Sequence, residues 1–128
     1  MSKQEPHEHE PHEHELREHE LREPTLLMLT ALADAPRHGY AIAQEVKGLS
    51  GGRVVLRTGT LYGALERLLK DGLIAVEREE VVTGRARKVY ALAEPGRRRL
   101  AAEAERMAAT AREATRRLGI SAAATAPA

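Results

Sequence analysis

Between residues 58 and 70 the sequence sets hydroxyls, glycines and two cations into the gaps of a leucine repeat. Leu61, Leu65, Leu68 and Leu69 recur at i, i+4, i+7 and i+8, the spacing of a buried helix face. Burying that face turns Thr58, Thr60, Tyr62, Gly63, Glu66, Arg67 and Lys70 outward. The chemistry of this outer face suits a polyanion. Thr60 and Tyr62 supply hydroxyls near the positive end of the helix dipole, and Gly63 removes bulk where another backbone could approach. Arg67 and Lys70 are long enough to meet a phosphate or the edge of a guanine. A second basic group, Gly84, Arg85, Arg87 and Lys88, lies where a short hairpin would turn, a placement that suits a loop meeting a minor groove. Either feature alone is ordinary, because solvated charges are normal on helix surfaces and hairpin ends. Glu79 and Glu80 on the approach also dilute the second.

The elements that must carry these residues can be read along the chain. Pro24 suits the first position of a helix, followed by the apolar run Thr25 to Ala33. That run is apolar on most faces and is expected to be buried. Asp34 to Gly39 reads as a turn, and Tyr40, Ile42, Ala43 and Val46 then recur at helical spacing up to Gly48. Thr58 is placed to cap the third helix and Asp71-Gly72 to close it. Leu73 to Glu77 and Lys88 to Leu92 read as two strands joined by a polar loop through Thr83, Gly84 and Arg85. Residues 95–118 form the last helix, entered at Pro95 and stopped at Gly119. Leu100, Ala104, Met107, Ala111, Ala114 and Leu118 follow one another by alternating steps of four and three, which is a heptad seam. Such a helix is about 36 Å long at 1.5 Å per residue. A domain of this size has little core left to cover its stripe, so a second copy is the natural cover. The expected fold is mostly α with a small β-hairpin: a winged helix-turn-helix domain over residues 21–94 plus a dimerisation helix.

Composition narrows the function classes. A chain of 128 residues has room for one domain with modest tails. Its only aromatic residues are Tyr40, Tyr62 and Tyr90, too few for recognition of unpaired bases by stacking. The absence of cysteine excludes disulfides, thiolate metal sites and thiol nucleophiles. Serine occurs only at positions 2, 50 and 121, and His38 is the one histidine beyond the first 20 residues, so no nucleophile–base pair emerges and no enzyme is expected. No apolar run is long enough to span a bilayer and no secretion signal is recognisable, which makes cytoplasm the expected location and a membrane partner unexpected.

Residues 1–20 are a low-complexity tail built on Glu-Pro-His-Glu-His, expected to be disordered to about residue 13. The Ala-rich residues 119–128 are expected to be disordered as well. Residues 1–23 hold three basic groups against eight glutamates, whereas the remainder holds seventeen basic against eleven acidic. A basic body therefore stands behind an acidic tail, which suits binding of a polyanion. His7, His9, His12, His14 and His19 in the tail could hold a divalent metal as neutral imidazoles. A metal-binding sensor or buffer acting through this tail is the alternative function. No cofactor is otherwise required.

Three stretches taken together resemble the PadR family of transcription regulators: His38-Gly39-Tyr40-Ala41-Ile42, Thr58 to Leu68, and Asp71-Gly72-Leu73-Ile74. Arg87 to Leu92 followed by Gly96 adds to them, and the resemblance runs in order over residues 21–118. It implies a winged-helix homodimer, usually a repressor, that leaves double-stranded operator DNA when an effector binds. The single short C-terminal helix resembles the smaller subclass. Within the family pattern His38 belongs to the turn between the first two helices, where a hydrogen-bonding role is expected. Two positions depart from the pattern: Gly63 stands where the family commonly has Pro, and Ala93 where it commonly has a Thr cap.

The DNA-binding residues expected are therefore Thr58, Thr60, Tyr62, Gly63, Arg67, Lys70, Gly84, Arg85, Arg87 and Lys88. An effector pocket is expected between the paired C-terminal helices and the first helix, near Met28, Leu29, Met107 and Ala111. A winged helix used only for protein contacts is the third reading.

Overall fold

A computed structural model of the protein describes residues 21–120. Three helices come first: α1 (Glu23–Ala31), α2 (Gly39–Leu49) and α3 (Thr58–Lys70), with the two-residue strand β1 (Arg37–His38) leading into α2. Strands β2 (Ile74–Val82) and β3 (Arg85–Leu92) follow, and α4 (Glu94–Leu118) ends the fold. The sheet is antiparallel in the order β1-β3-β2. Mostly helical architecture with a winged sheet is the class expected. The tail histidines His7, His9, His12, His14 and His19 lie outside the described residues.

The leucine spacing of α3 explains the core. Leu61, Ala64, Leu65 and Leu68 are buried together with Met28, Leu29, Ala31 and Leu32 of α1, Ile42 and Val46 of α2, Ile74 of β2 and Tyr90 of β3. Each fully buried aliphatic side chain of this kind contributes about 1.5–3 kcal/mol. With no Phe or Trp, the centre is filled by Met28, Leu29, Ile42, Leu65 and Val46. The carbonyl end of α1 is satisfied from outside the helix: Arg37 donates from Nε to the Ala31 carbonyl at 2.7 Å, and Arg97 of α4 donates to the Ala33 carbonyl at 3.4 Å. Ser50 pins the turn after α2, its hydroxyl accepting from the Val54 N–H at 2.9 Å and donating to the Lys47 carbonyl at 3.2 Å.

Several expectations are corrected. The turn at Asp34 to Gly39 contains a strand, because Arg37 and His38 pair with Tyr90 and Val89 and complete a three-stranded sheet. Thr58 is not the cap of α3 but its first helical residue. The cap position is Arg57, and no side chain caps that end. Pro24 is the second residue of α1 rather than the first, and α2 runs on to Leu49. The strands extend well beyond their apolar ends, so Glu79, Glu80, Arg85 and Arg87 are ladder residues rather than loop. Cross-strand pairing between charged residues continues the ladder where the apolar alternation stops.

The entry to α4 is tightly built. Ala93 donates its N–H to the Leu73 carbonyl at 3.0 Å. A Cβ placed on Gly96 would lie 2.1 Å from the same oxygen, so the helix can approach the sheet only through a bare glycine. Ala93 itself is the cap position and has no side-chain group to satisfy the first N–H groups of the helix. Opposite effects are expected from two substitutions at this junction, both read by thermal unfolding. Ala93→Ser should raise stability by about 1 kcal/mol. Gly96→Ala should lower it by about 1–3 kcal/mol through overpacking.

Candidate nucleic-acid interface

At 100° per residue, the buried leucines leave an outer arc on α3 centred on Gly59, Gly63, Glu66 and Lys70. Thr60 and Arg67 lie on one flank of that arc, and Thr58 and Tyr62 on the other. All are exposed except Gly63, which is half-buried. Gly59 and Gly63 leave the middle of the arc low, since a Cβ at either would meet nothing within 4 Å. Tyr62 has a second task. A Cβ on Gly39 would fall 2.7 Å from its hydroxyl, so the ring lies over the start of α2 while remaining 44% exposed.

The N-terminus of α3 has no side-chain cap, so its first N–H groups and the positive end of its dipole face outward. Arg57 stands at this point, exposed, and sequence reasoning missed it by assigning the cap to Thr58. A basic residue directly before the helix was the available signal. Tyr40 was also missed. It is 65% exposed on the first turn of α2, beside Gly39, and its hydroxyl accepts from Gln44 Nε2 at 2.9 Å.

The wing carries the second group. Thr83 and Gly84 both have positive φ, at 50° and 77°, as a two-residue turn of matching twist requires. Ladder register places Glu79 opposite Lys88, Glu80 opposite Arg87 and Val82 opposite Arg85. Glu80 accepts from Arg78 Nη2 at 2.9 Å and lies 3.9 Å from Arg87 Nε, while Arg78 Nη1 also donates to Glu77 at 2.9 Å. The cationic field expected of Arg87 and Lys88 is thereby partly neutralised within the wing. Arg85, Arg57, Arg67 and Lys70 make no ion pair among the described residues.

Two groups join the wing to the helices. Tyr90 is buried between them, and burial, then the nearby Tyr62 and Glu66, hold its phenol above the ordinary tyrosine range. His38 caps α2, with Nδ1 accepting from the Ala41 N–H at 3.3 Å, which is the structural role expected of it. Burial lowers the His38 pKa first and Arg87 lowers it further, against a smaller opposing effect of Glu80.

The remaining expected residues are placed differently. Leu100 packs on the core and is half-buried, whereas Ala104, Met107, Ala111, Ala114 and Leu118 are exposed along α4. Glu103, which no pattern singled out, is the buried charge of this helix and is paired with Arg106. Met28 and Leu29 have 0% exposure and present no surface to a ligand, while Met107 is 51% exposed. In the single chain these residues and Ala111 therefore do not line one cavity. The pocket was expected between the paired C-terminal helices and the first helix, but within one chain the core takes up Met28 and Leu29. Among the described residues no group of three or more His, Asp or Glu is placed to hold a metal, and no helix is long and apolar enough to cross a membrane.

Three helices with the third beside a three-stranded antiparallel sheet, followed by a long C-terminal helix, define a winged-helix domain. Residues 28–102 match the PadR-like family of transcriptional regulators, and the chain belongs to that family. Membership makes it a transcriptional regulator and not an enzyme. It is 41% identical over 88 residues to Transcriptional regulator Rv3488 of Mycobacterium tuberculosis, covering 69% of this chain and 78% of that one. It is 45% identical over 83 residues to an uncharacterized 37.1 kDa protein in transposon TN4556 of Streptomyces fradiae, covering 65% of this chain. The chain spans only 22% of that relative's length. Among solved structures, Bacillus subtilis PadR in complex with operator DNA superposes with a TM-score of 0.55 at 25% identity, covering 62% of this chain and 45% of that one.

The His38 cap generates a pH dependence. Its pKa is lower in the folded chain than in the unfolded one, so the unfolded chain takes up the proton first. Stability should be full above the ordinary histidine range and should fall as pH drops below about 6.5. His38→Ser keeps a capping oxygen without titrating. Denaturant midpoints measured between about pH 7.5 and 5.5 should fall less steeply in this variant than in the wild type.

Proposed function

We propose that the chain binds double-stranded operator DNA as a homodimer and acts as a repressor released by an effector. The carrying observation is the uncapped N-terminus of α3 with Arg57 at its mouth and, along its outer arc, Arg67 and Lys70, which make no ion pair among the described residues. Such an end attracts a phosphate, and a helix of this profile, low at Gly59 and Gly63, can lie close in a major groove. Glu66 in the middle of the arc suits the amino group of a cytosine, which a carboxylate accepts from, better than a phosphate. Arg67 and Lys70 then meet phosphates or a guanine edge. The operator complex of the Bacillus subtilis relative supports the reading.

The homodimer is supported by α4, whose seam from Ala104 to Leu118 is exposed over a 25-residue helix. Leu118 is 72% exposed. The small side chains of Ala104, Ala111 and Ala114 in the seam let a second α4 approach closely. Two α3 helices held in this way would enter successive major grooves, with half-sites about 34 Å apart. An effector acting at Met107 and Ala111 would then bind at surfaces contributed by both copies.

Two measurements test the proposal. Arg67→Ala should weaken binding to the DNA upstream of the protein's own coding sequence. If Arg67 meets a phosphate, the slope of log affinity against log salt should shrink by about 0.9. A wild-type affinity independent of salt would refute the mechanism. Met107→Asp places an unpaired carboxylate in the seam and should raise the dimer dissociation constant in sedimentation equilibrium by about tenfold or more. A wild-type chain that sediments as a lone protomer would remove the dimer.

A further inference from the structure

We propose that Glu66 is the specificity-determining residue of α3, its carboxylate accepting from the 4-amino group of one cytosine in the major groove of each half-site. This rests on the DNA-binding reading above and names the base pair that the site selects.

The glycines of α3 supply the first observation. Glycine weakens a helix relative to alanine, and elsewhere in the chain its presence has an internal cause. Gly39 and Gly96 have a neighbour standing where a Cβ would go, and five other glycines have positive φ. Gly59 and Gly63 have neither reason, since a Cβ at either position would meet nothing within 4 Å. Gly48 shares that freedom, but it is the second-last residue of α2, where a glycine costs the helix little. The effect of Gly59 and Gly63 is therefore external: they cut the outer ridge of α3 down to its backbone. At 100° per residue they stand within about 60° of Glu66 around the helix. A helical side chain leans toward the N-terminus, which carries Glu66 over the cleared turn at Gly63.

The carboxylate itself supplies the second. Glu66 is exposed and makes no ion pair among the described residues. Lys70 follows four residues later, the favourable spacing for such a pair, and the pair is not formed. A free carboxylate in the middle of a surface for a polyanion is repelled by phosphates, so it must meet a hydrogen-bond donor. In the major groove the donors are on the base edges. Guanine presents two acceptors there, thymine an acceptor beside its methyl group, and adenine an acceptor beside its amino group. Cytosine alone presents a donor with no acceptor beside it. The lowered ridge brings the helix close enough for a short side chain to reach that edge, while Arg67 and Lys70 meet the phosphates or a guanine on either side.

The test uses the full chain and duplexes of about 30 base pairs, roughly three helical turns, selected from one random-sequence pool. Selection is run separately with the wild type, Glu66→Gln and Glu66→Ala, and thermal unfolding checks that each variant is folded. The wild type should enrich a C·G pair in each half-site that Glu66→Ala does not enrich. Glu66→Gln should enrich A·T at that position, because a carboxamide matches the N6 and N7 of adenine. Exchanging the C·G for T·A in a selected duplex should weaken wild-type binding about tenfold or more and leave Glu66→Ala binding nearly unchanged. Gly63→Ala should raise the thermal midpoint, since alanine is the better helix former, yet weaken binding to every duplex. The same enriched sequence from the wild type and both Glu66 variants would overturn the proposal and leave the DNA reading standing. So would a uniform gain of affinity in Glu66→Ala with no change of preferred sequence, which would make the carboxylate a repulsive brake and no more. Undiminished affinity of Gly63→Ala would also overturn it, by removing the close approach that the contact needs. Failure of the wild type to enrich any duplex would refute the DNA reading itself, and the cytosine contact with it.

Discussion

The apolar face of α3 is the constraint on which the molecule turns. Leu61, Ala64, Leu65 and Leu68 engage three other elements at once: α1 through Met28 and Leu29, α2 through Ile42 and Val46, and the sheet through Ile74 and Tyr90. Helical geometry then leaves no freedom in the outer arc, because fixing one side of a helix fixes its rotation. Rotating α3 by a single residue would bury Glu66 or Arg67 and expose a leucine, a change opposed by both desolvation of charge and lost apolar burial. The interface is thus aligned from the inside.

That alignment explains why ordinary residues make a specialised surface. Glycine at positions 59 and 63 and threonine at 58 and 60 are poor helix formers, and the helix they open has no capping side chain. Burial of the leucines compensates for this weak start. The same pattern holds at α4, which begins at an uncapped Ala93 yet is held by the Leu73 carbonyl and by the close approach of Gly96. Tertiary packing does in both places what local signals would otherwise do.

The wing follows another logic. Its base is anchored by Tyr90 and Val89 and by the short β1, but its outer half has no core to hold it. Cross-strand charge pairs replace apolar packing there. Arg78 is thus occupied with Glu77 and Glu80, and Arg87 lies against Glu80 across the ladder, while Arg85 at the tip makes no ion pair among the described residues. An apparently basic hairpin becomes a nearly neutral ribbon with a single cationic end.

The leucine spacing by itself determined that α3 exists, which residues it buries and which it presents, because a helix has one period and only one face of it was apolar. The glycines after α3 and α4 likewise marked helix ends, and His38 to Ile42 together with stretches between residues 58 and 96 carried the family resemblance. Other features had no period to declare them. Two residues are too few for an alternation, so β1 became visible only when Arg37 and His38 met β3. The neutralised wing depended on register, since Glu80 is seven residues from Arg87 in sequence yet lies opposite it across the ladder. Arg57 gained its place only once the cap was seen to precede Thr58, and Met28 and Leu29 lost theirs because the core closed over them. Sequence fixes which side of an element is apolar. Only packing in three dimensions decides what that side meets and which charges remain unanswered.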